Sequence, residues 1–147
     1  MTITHWLATL DLLCTRDLPV APGTTDVGTA GPGYLVAELR TSGDFTEDGG
    51  AEREETAAQY ECDRDGLAER LAERWGAPDV FSLRSAFERA QGGEDIPEPW
   101  ASLSAHVPDV QVWRPPGTAR WVALGVSRWG DELPFQLLAV VTETDPP

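Results

Sequence analysis

Only His5 and His106 supply imidazole in this 147-residue chain, so any general-base chemistry near neutral pH has few places to reside. The run Ser104-Ala-His106-Val-Pro108-Asp109 places a carboxylate three residues after His106, where it could orient the ring for proton transfer. Serine chemistry would need such a base. Gly125-Val-Ser127-Arg-Trp-Gly130 approaches the glycine-flanked nucleophile turn but misses its spacing by one residue. Neither histidine lies in a triad signature. Ser127 therefore reads as a strand residue with a small hydroxyl, His106 as a surface or hydrogen-bonded loop histidine, and no catalytic residue is assigned.

Carboxylates are abundant instead. Glu61-Cys-Asp63-Arg-Asp65-Gly66 resembles the first half of a calcium loop, in which alternating oxygens precede a glycine. The bidentate glutamate required six residues after that glycine is replaced by Ala72, so the expectation is a solvated helix face with no metal. Glu94-Asp95-Ile-Pro-Glu98 offers an acid/base pair, as glycoside hydrolysis needs, but neighbouring acids arise by chance in a chain with 25 of them. Gly28-Thr-Ala-Gly31-Pro-Gly33 lacks the Lys-Ser/Thr of a phosphate loop and leads into a strand-like segment, which makes it a flexible loop. No cofactor is expected.

Charge is the stronger signal. The chain holds 25 acids against 11 basic residues, every one of the latter arginine, for a net charge of −14. Nine acids and two arginines fall between Asp44 and Asp65, which concentrates half of that charge in 22 residues. Such a bias repels nucleic acid and anionic membrane and favours a basic or neutral partner. The candidate partner-binding residues are Asp44, Glu47, Asp48, Glu52, Glu54 and Glu55, joined by Trp100, His106 and Trp113. Exposed tryptophan is a rigid, amphipathic anchor, whereas the competing expectation has the tryptophans capping a small core. Trp113 and Trp121 flank a turn and would pair across a hairpin, with Trp129 ending the second strand.

The elements that must position these residues follow from periodicity. Leu, Ile, Val and Phe total 32 residues, enough for one folded domain with some irregular chain. Thr4 to Cys14 is a short strand or helix, and a loop rich in Pro and Gly follows up to Tyr34-Leu-Val-Ala-Glu-Leu-Arg, a strand-like island. Residues 41–51 read as an acidic linker. From Glu52 to Trp75, Ala57, Tyr60, Arg64, Leu67, Leu71 and Trp75 share a helical face, with Gly76 and Pro78 as stop signals. Gly66 weakens the middle and would delay the helix start to near Asp63. Ser82 is placed to cap a second helix carrying Leu83, Ala86, Phe87 and Ala90. Val110–Arg114, Arg120–Trp129 and Phe135–Thr142 read as strands joined by turn chemistry.

The expected architecture is α+β: two helices on a C-terminal three-stranded antiparallel meander, with an irregular N-terminal third over residues 1–50 and a compact domain over 51–147. The N-terminus makes a poor signal peptide, and the longest apolar run is five residues, so a soluble cytoplasmic protein is expected. Cys14 and Cys62, 48 positions apart, read as reduced thiols. Three functions remain open. The leading one is a non-enzymatic acidic interaction domain, such as an immunity or antitoxin-type inhibitor of a basic protein. The second is a small-molecule-binding module or unfamiliar enzyme with a Trp-lined pocket and His106 as base. The third is a subunit of a homo- or hetero-oligomer.

Overall fold

The computed structural model describes residues 3–42, 50–128 and 134–147, with backbone alone for 50–52. In chain order the elements are α1 (Ile3–Thr15), β1 (Gly23–Thr24), β2 (Gly28–Gly31), β3 (Tyr34–Thr41), α2 (Gly50–Trp75), β4 (Asp79–Ser82), α3 (Leu83–Gln91), α4 (Trp100–Ser104), β5 (Asp109–Trp113), β6 (Trp121–Arg128) and β7 (Phe135–Thr142). The seven strands form one antiparallel sheet in the order β1-β2-β3-β7-β6-β5-β4. The chain is thus α+β, but the two-helix, three-stranded arrangement expected from periodicity is incorrect. The three C-terminal strands are neighbours as expected, yet they form less than half of the sheet. The supposedly irregular N-terminal third supplies a helix and three strands.

Side-chain alternation divides the sheet between two helical layers. Leu35, Ala37 and Leu39 of β3, Leu137, Ala139 and Val141 of β7, and Val122, Leu124 and Val126 of β6 point to one face, where α1 and α2 cover them. Trp6, Leu10 and Leu13 of α1 and Tyr60, Leu67 and Leu71 of α2 complete that core. On the opposite face, Val110 and Val112 of β5, Ala123 of β6 and Leu138 and Val140 of β7 pack against Leu83, Ala86, Trp100 and Leu103 of α3 and α4. Two apolar faces explain the near-continuous hydrophobic runs of β6 and β7, whose residues are buried on both sides.

Helix α2 runs unbroken through Gly66, contrary to the expected late start. A Cβ at Gly66 would lie 3.2 Å from Ile3 Cδ1, so the missing side chain lets the first residue of α1 sit against α2. Packing of the apolar face outweighs the propensity cost of about 1 kcal/mol. Gly76 ends the helix with its N–H on the Ala72 carbonyl at 2.8 Å, and its own carbonyl accepts from Trp113 Nε1 at 2.9 Å. Ser82 stands at the N-cap of α3 but makes no side-chain cap. The Pro108 carbonyl accepts the Leu83 and Arg84 N–H groups instead, tethering α3 to the connector before β5.

Two further expectations are corrected by register. Trp113 pairs with Val122, so adjacent Trp121 faces the other side of the sheet and the two indoles do not meet. Trp113 instead packs edge-on to Trp75, with ring centroids 6.5 Å apart. Between Glu38 and Arg40 the β3–β7 register shifts by one residue: Glu38 opposes Leu138 and Arg40 opposes Leu137. This bulge lies beside one of the cavities described below.

Candidate functional site

His106 follows α4 and precedes β5, on the face of the sheet covered by α3 and α4. Its backbone is fixed twice: its N–H donates to the Leu103 carbonyl at 3.0 Å, and its carbonyl accepts from Arg128 N–H at 2.7 Å. The connector can approach the sheet because β6 carries Gly125 beneath it. A Cβ there would lie 2.6 Å from Val107 Cγ1, so only glycine admits Val107 at this depth.

The partner of the imidazole is Ser127, whose Oγ lies 2.6 Å from His106 Nδ1. Asp109, the carboxylate expected to orient the ring, pairs with Arg64 at 3.7 Å instead. Ser127 is fully buried, which makes it a positioning group for the imidazole. Nothing in the sequence marks this pair, because the two residues are 21 positions apart and are brought together only by the close seating of the connector on β6.

Burial pushes the His106 pKa below its ordinary value near 6.5. The folded protein then takes up the proton at lower pH than the unfolded chain does. Stability contributed through this residue is complete above the unfolded pKa and is lost as pH falls through the interval below it. Urea midpoints measured between about pH 5.5 and 7 should therefore decline on acidification. A His106→Gln variant should decline less over the same interval, and equal slopes in the two proteins would refute the assignment.

The imidazole lines two cavities. The first, of about 290 Å³, lies towards α3 and is flanked by Arg84, Phe87, Pro108 and Arg128. The second, of about 360 Å³, lies between α4 and the exposed part of the sheet. Its floor is apolar, formed by Val36, Leu103 and Leu138, and its rim carries Tyr34, Glu38, Ser102 and Gln136. Tyr34, Val36 and Glu38 are alternate residues of β3, and Gln136 and Leu138 are alternate residues of β7. The cavity exists because α3 and α4 pack over the β5–β6–β7 part of the sheet and leave this part of β2 and β3 uncovered.

Local polarity in the larger cavity is organised. Gln136 Nε2 donates to Glu38 Oε1 at 3.0 Å, holding the carboxylate beside the bulge. Burial, followed by the nearby charge of Glu98, raises the Tyr34 pKa. Glu98 is itself held, accepting the Ser102 N–H at 3.2 Å.

Among the described residues, the sequence-selected ones do not assemble into one site. Asp44, Glu47 and Asp48 lie outside the described residues, as does Trp129, and of Glu52 only the backbone is described. Glu54 and Glu55 are exposed on α2, on the sheet face opposite His106. Trp100 is fully buried and Trp113 nearly so, on opposite faces of the sheet. The anticipated pocket ringed by Trp100, His106 and Trp113 is therefore absent, because both indoles fill core.

The calcium-like run is occupied differently. Glu61 pairs with Arg128, Asp63 with Arg40 and Asp65 with Arg64, so each carboxylate has an arginine partner. Among the described residues no group of three or more His, Cys, Asp or Glu side chains converges as a metal site. Cys14 and Cys62 are both free thiols. Among the described residues no helix is long and apolar enough to cross a membrane. Comparison with protein-family models, curated proteins and solved structures returns no match.

Proposed function

We propose that the chain is a small-molecule-binding module whose site is the 360 Å³ cavity between α4, β3 and β7. The observation that carries this reading is the combination of an apolar floor with polar groups converging on one rim. That is the composition ligand sites share: buried apolar area gives affinity, and a few placed polar atoms give orientation. The bulge in β3 and the two titratable side chains shifted by burial, Tyr34 and His106, border the same space. The expected test is a methyl-detected NMR screen of small neutral organic fragments. Shifts concentrated at Val36, Leu103 and Leu138, and lost in Val36→Trp, would support the site. Responses scattered over the surface, or unchanged in Val36→Trp, would refute it.

A second reading, an acidic surface for a basic protein, draws on one further observation. Arg40, Arg64, Arg74 and Arg128 are held in pairs with Asp63, Asp65, Asp11 and Glu61, while Glu54, Glu55, Glu69 and Glu73 remain exposed on α2. The helix spans about 39 Å, so its outer face carries negative charge over a length suited to a protein partner. An inhibitor of the immunity or antitoxin type is the narrowest form of this reading.

A further inference from the structure

The cavity that serves the proposed binding function has a sign as well as a shape. Its rim carries the Glu38 carboxylate, Glu98 lies close enough to affect Tyr34, and no arginine lines it among the described residues. The neighbouring cavity beyond His106 is the reverse, with Arg84 and Arg128 in its walls. His106 thus separates an arginine-lined space from a carboxylate-lined one within a chain whose net charge is −14.

We infer that the occupant of the carboxylate-lined cavity is a small organic cation, a protonated amine joined to an apolar body. This rests on the binding reading given above. Glu38 Oε1 already accepts from Gln136, and the remaining lone pairs of the carboxylate can receive an ammonium group. The fixed Gln136 amide keeps the carboxylate in place, so little side-chain freedom is lost on binding. Tyr34 lines the cavity four residues along β3 from Glu38 and leaves the carboxylate end to the ammonium group. The neighbouring imidazole, its proton affinity lowered by burial, is uncharged at neutral pH and does not oppose the ligand. Val36, Leu103 and Leu138 receive the apolar body. A volume of 360 Å³ equals about a dozen liquid waters at ~30 Å³ each, room for one aromatic ring with a short aminoalkyl arm. The negative field of the whole chain draws cations towards the site and repels carboxylates.

Three probes of nearly equal size and apolar surface test this: 2-phenylethylamine, 2-phenylethanol and phenylacetate. Each is titrated into the full chain at pH 7 while the methyl resonances of Val36, Leu103 and Leu138 are followed. The amine should bind about tenfold tighter than the alcohol, with phenylacetate weakest. Glu38→Gln should bring the amine to the affinity of the alcohol and leave the alcohol unchanged. Equal binding of amine and alcohol, or preference for phenylacetate, would overturn the cation while leaving the cavity as a binding site. Failure of all three probes to move those methyls would overturn both. Glu38 is an exposed edge residue of the cavity, and matching denaturation curves for Glu38→Gln and the parent chain confirm that an affinity change is local.

Discussion

Trp100→Ala should lower the unfolding free energy by about 3–5 kcal/mol, the range for emptying a large aromatic site that cannot collapse. Trp100 is fully buried and is the largest such side chain among the described residues. It packs with Leu103, Val107 and Val140 in the core beneath α3 and α4. Its indole Nε1 donates to the half-buried Thr144 carbonyl at 3.2 Å, so truncation also removes that acceptor's partner and loosens the segment after β7. For a domain of this size the loss corresponds to a fall in Tm on the order of 10 °C. Trp100→Phe should recover much of the packing and none of the hydrogen bond. Urea denaturation of both variants checks this. A stability change below about 1 kcal/mol for the alanine variant would return Trp100 to the partner surface, where truncation costs binding and leaves folding intact.

The second large effect belongs to Arg120, which no sequence pattern singles out. Its Nη1 lies 3.1, 3.0 and 2.6 Å from the carbonyl oxygens of Leu13, Cys14 and Arg16. These carbonyls belong to the last turn of α1 and the residue after it, where the helix has no further N–H groups to offer. The final turn of α1 contains no basic residue of its own. A guanidinium from the residue just before β6 therefore supplies the donor and the positive charge that a helix C-terminus favours. Arg120→Met should cost about 2–4 kcal/mol, since charge-assisted hydrogen bonds are lost and half-buried carbonyls are left bare. All three contacts converge on one nitrogen, so Arg120→Lys should restore part of the loss. Amide exchange should accelerate first in the last turn of α1, and protection unchanged there would refute the role.

What the sequence revealed depended on how local each cause was. The α2 helix was legible because Tyr60, Leu67 and Leu71 repeat at helical spacing and Gly76 stops the run, all within one segment. The β5–β6–β7 strands were legible because turn-forming residues separate them in the sequence. The rest of the sheet was hidden because β3 is completed by β7, about a hundred residues away, and no local pattern encodes that partnership. Strand β4 is only four residues long and mostly exposed, too short for alternation to show. The tryptophans were ambiguous for a related reason: an indole suits a core and an interface equally, and only strand register places Trp113 and Trp121 on opposite faces. The candidate cavity left no motif, since it combines alternate residues of β3 and β7 with one short helix. His106 was visible as a rare side chain, but its partner followed from tertiary packing rather than from the nearby Asp109.

The position of β7 between β3 and β6 has a consequence for how the chain is made. During synthesis α1, β2, β3 and α2 emerge first, yet the exposed edge of β3 has no partner until Phe135–Thr142 leaves the ribosome. At elongation rates of about 5–20 residues per second, that wait lasts on the order of 5–20 s. Through that interval Leu35, Ala37 and Leu39 depend on the helices alone for shelter, with one row of backbone donors and acceptors open. Strand β7 joins two half-sheets that cannot meet without it. The nascent chain is therefore most vulnerable to misassociation just before β7 emerges, and chaperone demand should peak there.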